Sequence, residues 1–415
     1  MSLEEHLFRR EAGRIVSALT RIFGVHNLAL AEDVTQEALC RALEVWKLRG
    51  VPENPSAWLL KTAKNAALDA LRRERTARKF SPDLGRELES EWTLVPLVTE
   101  LLGEARIRDD ELRMMFTCCH PKIAEEAQIA LILNILSGFG AREIAHAFLS
   151  SPASIEKRLQ RAKRDLAESK TLFELEGDDD ITSRLDSVHR AIYLLFSEGY
   201  HGSHPEQTVR LDLCREALRL CDLLGQHAKT ALPENHALGA LMYLHAARLP
   251  ARLDAAGSLS FLWDQDRSLW DQRLVTEGLR LLELSATGSR LTAYHVEAAI
   301  AAEHSTAERF EATNWTRIVE MYDTLFRMRP SPVVALQRAI ALAQRDGPAR
   351  GIEALEAIAD RERLAAYPFL SAAHGDFEWR LGNKKRARIH FVEAQRLARN
   401  PAERLFFELR IAACG

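Results

Sequence analysis

The sequence predicts an all-α protein. Ala, Leu, Arg and Glu dominate its 415 residues, alternating β-branched runs of strand type are hard to find, and Gly-Pro punctuation is sparse. Charged residues make up 28% and the apolar and aromatic set 47%, an ordinary globular balance. At roughly 100–200 residues per domain, the length suits two or three domains. With 56 Lys and Arg against 59 Asp and Glu, the net charge of −3 excludes a uniformly basic nucleic-acid binder but leaves room for local basic stripes. No apolar run approaches the roughly 18–20 residues that span a bilayer. The start, MSLEEHLFRREAGRIV, lacks the apolar core of a signal peptide, and the six cysteines show no paired spacing. Reduced thiols in a cytoplasmic protein are the expectation, with no membrane contact.

Local composition sets the boundaries. A first block, residues 1–80, ends in a basic run. Residues 81–107 read as an acidic linker; the wider stretch 81–111 holds nine acids against three Arg. A second block covers 108–173, residues 174–180 form an acidic hinge within ELEGDDD, and an Ala- and Leu-rich helical block fills 181–415.

In the first block, Leu30, Val34, Ala38, Ala42 and Val45 recur at helical spacing and predict one buried stripe. Glu32, Asp33, Gln36, Glu37 and Arg41 cover the opposite side. On pattern alone, a solvated face is the stronger reading of that side. The next helix is better marked: Asn54 caps it, Pro55 takes the first position and Trp58 the first turn. Its inner face reads Leu59, Thr62, Ala63, Ala66 and Ala70, and Lys61, Lys64, Asn65, Arg72, Arg73, Arg75, Arg78 and Lys79 supply charge and amide elsewhere. Seven bases against two acids between Trp58 and Phe80 make a stripe able to neutralise phosphates, or simply a basic solvated helix.

In the second block, Gly140–Phe148 predicts a short helix buried through Ile144, Ala145 and Phe148. Ser150-Ser151-Pro152 is the turn, with Ser151 the cap. A second helix buries Ile155, Leu159, Ala162 and Leu166 and turns Lys157, Arg158, Arg161 and Arg164 outward. This is a helix-turn-helix pattern with a basic reading helix, against the plainer alternative of a helical hairpin. Upstream, Cys118, Cys119 and His120 invite a metal or redox reading; adjacent cysteines cannot easily face one tetrahedral ion, and no C-x-x-C partner lies nearby. No metal ligand set is assigned.

The run AEDVTQEAL, followed by NPSAWLLKTAKNAALDALRRER, resembles region 2 of the extracytoplasmic-function sigma factors of the sigma-70 family. The resemblance rests on Ala31, Glu32, Asp33, Gln36, Glu37, Pro55, Trp58, Leu59, Ala63, Asn65, Asp69, Arg72 and Arg73. It implies that Glu32, Asp33, Gln36, Glu37 and Arg41 contact core RNA polymerase. It also implies that Arg49, Asn54, Ser56, Trp58, Lys61, Asn65, Arg72 and Arg73 serve the −10 promoter element. Glu143-Ile144-Ala145 and the run Arg158-Leu159-Gln160-Arg161-Ala162-Lys163 with Leu166 resemble sigma region 4. That likeness places Ser154, Lys157, Arg158, Arg161 and Arg164 at the −35 element, with Glu156 an acidic departure.

The phrase FTCCHP and the extension resemble a group of these factors with a long helical C-terminal domain, through Ala191–Tyr200, Arg210–Ala217, Asp264–Asp271 and Ser331–Leu336. Leu381, Gly382, Ala387, Phe391 and Ala394 fall at tetratricopeptide offsets, and Gly347 lies one repeat length upstream with Pro330 where a repeat would close. Over 181–310 the pattern says only α-helical. Asp264, Asp266, Asp271, His295 and Glu297 read as helix caps and ion pairs more readily than as acid–base chemistry. The expectation is a non-enzymatic, cofactor-free transcription initiation factor that partners core RNA polymerase and promoter DNA. Its extension would touch regions 2 and 4. The alternative is a helix-turn-helix regulator that is not a sigma subunit, or a tetratricopeptide-type interaction protein.

Overall fold

The computed structural model describes residues 3–78, 104–120, 122–147, 150–168, 178–201, 209–254 and 256–415. Helices account for most of them, and among the described residues there is no named strand, only an isolated bridge between Leu253 and Leu259. The all-α expectation holds. The chain divides into two compact units, Met1–Ala191 and Ile192–Gly415.

Unit 1 contains α1 (Leu3–Phe23), α2 (Leu28–Arg49), α3 (Pro55–Arg78), α4 (Glu104–Cys118), α5 (Glu125–Ile135), α6 (Ala141–Ala147) and α7 (Pro152–Glu168). It also takes in the first half of α8 (Asp178–His201), which begins inside the acidic stretch read as a hinge. Most of the linker, residues 81–103, lies outside the described residues, as do 174–177 and Phe148. The α2 stripe buries Leu28, Ala31, Val34, Thr35, Ala38, Ala42 and Trp46, with Leu30 and Val45 half-buried at its edges. Gly50 ends α2 at φ 79°, a left-handed conformation that glycine adopts without a Cβ penalty, and donates its N–H to Trp46 O at 2.9 Å.

The inner face of α3 is Leu59, Leu60, Ala63, Lys64 and Ala67, not the row read from sequence. Thr62, Ala66 and Ala70 are half-buried. Lys64 is 7% exposed and so leaves the basic stripe. The reason is angular: Lys64 follows Leu60 by four residues and precedes Ala67 by three, which puts it on their face at 100° per residue. Trp46 meets Trp58 edge-on at 5.6 Å and Phe8 at 5.7 Å, tying α2 to α3 and α1.

The core of unit 1 joins both halves of the sequence. Leu19, Leu28 and Leu59 are fully buried, as are Leu112, Met115, Phe116, Leu131 and Ile132 from the other side of the linker. On α1, Gly13 passes so close to α5's end that a Cβ there would lie 2.2 Å from Leu136 O. Arg21 pairs with the buried Asp110 at 2.9 Å. Arg184 of α8 donates to Phe116 O at 3.1 Å, and Arg190 pairs with Glu125.

Unit 2 runs through α9 (Leu211–Gln226), α10 (Pro233–Ala246), α11 (Gln272–Ser285), α12 (Ala293–Thr306), α13 (Trp315–Met328), α14 (Pro332–Asp346), α15 (Pro348–Glu356), α16 (Pro368–Arg380), α17 (Lys384–Arg396) and α18 (Pro401–Ala412). Side chains cap several of these helices: Asp271, Asn314, Ser331 and Asn400 each accept backbone N–H bonds of the first turn. Successive helices pack as antiparallel neighbours over separate apolar clusters, such as Leu336, Ala339, Leu355, Ala373 and Phe377. Ala387, Phe391 and Ala394 form the buried row of α17, and Gly382 turns the chain before it at φ 83°.

Candidate functional site

In unit 1, α2 presents Asp33, Gln36, Glu37 and Arg41 exposed on one face, at spacings of three and four that align them along the helix. Leu43, Leu48 and Val51 continue that exposed surface at 50%, 85% and 58% exposure. Apolar side chains this open next to a polar face are what a protein partner covers. Glu32 differs from its neighbours: it is half-buried and accepts from Lys163 Nζ of α7 at 2.6 Å.

The loop between α2 and α3 and the first turns of α3 carry the second group. Arg49 and Asn54 are exposed, and Ser56 and Trp58 are half-buried. The Asn54 side chain is spent on capping α3, accepting from Ala57 N at 2.9 Å. Trp58 is held by Trp46, so its ring is a support for the loop more than a free stacking surface. Lys61, Asn65, Arg72 and Arg73 are exposed along α3. Arg72 pairs loosely with Asp69 at 3.4 Å, both largely in solvent. The side chains of Arg75, Arg78 and Lys79 fall outside the described residues.

Helices α6 and α7 form the third group. Ser151 Oγ accepts from Ser154 N at 3.2 Å, the cap its sequence suggests, and at the start of α6 Glu143 Oε2 accepts from Gly140 N at 2.9 Å, a contact not predicted from the sequence. Ile155, Leu159, Ala162 and Leu166 are buried. Ser154, Lys157, Arg161 and Arg164 are exposed. Arg158 is the departure: it is half-buried, its Nη2 3.1 Å from Glu126 Oε2 on α5. Neither pairing, Glu32 with Lys163 nor Arg158 with Glu126, has a signal in local periodicity, because the partners lie far apart in sequence.

Cys118 and Cys119 sit at the end of α4, almost wholly buried. Burial pushes the Cys118 thiol up to about 12 and raises that of Cys119 as well, so both behave as small apolar core groups. In unit 2, Asp266 and Asp271 cap the turns after them, His295 closes a capping box with Thr292, and Glu297 accepts from Tyr193 OH at 3.2 Å. Among the described residues, no group of His, Cys, Asp and Glu could hold a metal, and no helix is long and apolar enough to cross a membrane.

The family model of sigma-70 region 2 matches residues 7–77, and a family of unknown function, DUF6596, matches residues 184–286. The uncharacterized protein R00370 of Rhizobium meliloti (strain 1021) is 39% identical over 399 residues, 95% of this chain and 92% of the relative. No solved structure matches the chain.

Proposed function

From a chain that belongs to the family of the Rhizobium meliloti protein and carries sigma-70 region 2, we infer an extracytoplasmic-function sigma factor, which binds core RNA polymerase and directs initiation at −10 and −35 elements. The observation that carries this reading is α2. Within the matched region it exposes Asp33, Gln36, Glu37 and Arg41 in one row, continued by the open side chains of Leu43 and Leu48. A protein partner seated on that row would also cover these open apolar side chains.

In this reading α3 follows the displaced single strand. Lys61, Arg72 and Arg73 neutralise phosphates, while Arg49, Ser56 and Asn65 lie where unstacked bases pass. Trp58 and Asn54 act from beneath, by fixing the loop. Helix α7 enters the major groove with Ser154, Lys157, Arg161 and Arg164 outward, and Arg158 joins them once released from Glu126. Unit 2 is a regulatory extension with tetratricopeptide-like helix pairs in its second half. It touches regions 2 and 4 in one of their arrangements, and its loss would lower transcription. Chemistry is assigned to no residue; the protein acts by binding alone, in the cytoplasm.

Co-purification tests this. A sigma factor forms a stoichiometric complex with core RNA polymerase, and the Asp33→Ala/Gln36→Ala variant weakens it with its helix content intact. A chain that never associates with core polymerase would be a helix-turn-helix regulator of another kind.

A further inference from the structure

Unit 2 encloses a cluster of positive charge that the proposed promoter surface does not use. Tyr200 and His201 close α8, while His245, Arg248 and Arg252 end α10 and form the turn after it. Arg267 and Trp270 precede α11, and His304 ends α12. The Arg252 guanidinium carbon lies 4.2 Å from the Tyr200 ring centroid. Those of Arg248 and Arg267 lie 5.5 and 4.7 Å from the Trp270 centroid. Tyr200 also meets His245 edge-on at 5.2 Å. Arg248, Arg252, Tyr200, Trp270 and His304 are each more than nine-tenths buried.

The hydrogen-bond ledger of this cluster is incomplete in one direction. Arg248 uses only Nε, donating to Gln265 Oε1 at 3.4 Å. Arg252 donates to Tyr200 O at 3.1 Å and to His201 Nδ1 at 2.9 Å. Arg267 Nη1 donates to His304 O and Ala307 O, at 2.7 and 2.6 Å, while its Nη2 is buried with no partner. Tyr200 OH, Trp270 Nε1, His245 Nδ1 and His304 Nδ1 are likewise buried without a partner. Among the described residues, none of the three arginines forms an ion pair with a carboxylate; Glu311 acts on Arg267 only at longer range, favouring its charged form.

Arg248 and Arg252 are buried and Arg267 half-buried beside them. Guanidinium groups gathered with no ion pair among the described residues are costly, because the low-dielectric interior magnifies their repulsion and the buried ones have given up hydration. The same field, with burial, holds His245 and His304 neutral, both pushed down to about 3. What the cluster lacks is an acceptor carrying negative charge. Arginine forks and neutral N–H and O–H donors together match the oxygens of a phosphate or carboxylate. The aromatic rings hold the guanidinium groups, and Arg267 Nη2 remains without a partner.

We propose that unit 2 binds a small anionic ligand through a phosphate or carboxylate group, held by Arg248, Arg252 and Arg267 with Tyr200 OH and Trp270 Nε1. This binding is independent of the polymerase reading and can be measured on the full chain alone, so either can fail without the other. The test is calorimetric titration of the full chain with inorganic phosphate and, separately, with citrate, at fixed ionic strength in chloride. Thermal melts are followed in parallel. Saturable binding of at least one anion is expected, with a melting temperature that rises with its concentration. Whichever anion binds more tightly identifies the class of ligand.

Arg248→Met should weaken that binding about tenfold or more, as loss of a charge-assisted contact does. In chloride alone it should melt no lower than the parent, because it removes a buried charge that has no ion pair among the described residues. Tyr200→Phe and Trp270→Phe, which keep a ring in place, should each weaken binding while preserving the fold. Absence of saturable binding by both anions overturns the proposal. So does binding that Arg248→Met, Tyr200→Phe and Trp270→Phe all leave unchanged, which would mark an adventitious ion only.

Discussion

Lys64 shows what a single position contributes. By charge it joins Lys61, Arg72 and Arg73, yet its angle around α3 places it beside Leu60 and Ala67 at 7% exposure. Replacing Lys64 with Met is therefore expected to leave promoter opening intact and to change stability by less than about 1 kcal/mol. Replacing Lys61 and Asn65 with Ala, both exposed, should reduce opening at unchanged stability; permanganate footprinting of the −10 region distinguishes the two. On α7, Arg161→Ala should cost about 1–3 kcal/mol and relax sequence choice if its guanidinium reads a base. A uniform loss across promoters would make it a phosphate contact, as competition binding on altered −35 sequences would reveal. His245 and His304 give a pH signature. Their folded pKa values lie near 3, below the ordinary histidine value of 6.5, so the unfolded chain binds protons first as pH falls. Their neutral state thus supports the fold fully above about pH 6.5, and that support is lost progressively between about 6.5 and 3. Melts of the full chain in chloride at pH 7 and pH 5 should show the lower value at pH 5.

At the scale of helices, the sequence carries its own local geometry well. The α7 row of Ile155, Leu159, Ala162 and Leu166 is buried as its spacing predicts, and the caps at Asn54, Ser151 and Asp271 lie where residue type places them. Periodicity does not reveal which helix meets which. Glu32 reads as one more acid of the α2 row until Lys163 arrives from α7 at 2.6 Å, and Arg158 reads as outward until Glu126 takes it. Both pairings occupy side chains that polymerase and DNA contacts would use, so the packed arrangement of α2, α5 and α7 competes with them. Lys163→Ala should cost less than about 1 kcal/mol of stability and leave core-polymerase affinity equal or higher, since it frees Glu32. Lower affinity on equilibrium binding would instead give Lys163 a direct contact. Gly13 makes the approach of α1 to Leu136 sterically feasible. Gly13→Ala should destabilise the unit by about 1–3 kcal/mol in denaturant titration, because the obstructing atom is backbone and cannot rotate away.

For the whole molecule, composition separates the halves of the chain but misses how α8 joins them. That helix begins at Asp178 and continues to His201, and through Arg184 and Arg190 its first half belongs to the packing of unit 1. A deletion starting near Gly177 would strip unit 1 as well as the extension, whereas one starting after His201 keeps α8 whole. The later truncation is the cleaner test of a required extension, and it should transcribe less than the full chain at equal abundance. Composition places an acidic hinge at 174–180, yet α8 already begins at Asp178. The arginine cluster of unit 2 was not legible either, because Arg248, Arg252 and Arg267 become neighbours only after α8, α10 and the turns around them fold. The most direct test of the account is run-off transcription with purified core RNA polymerase on candidate promoters. The full chain should support initiation from a defined start site well above core enzyme alone, and Asp33→Ala/Gln36→Ala should abolish most of that gain. Initiation no greater than with core enzyme alone, from a chain that is folded and present in excess, would contradict it.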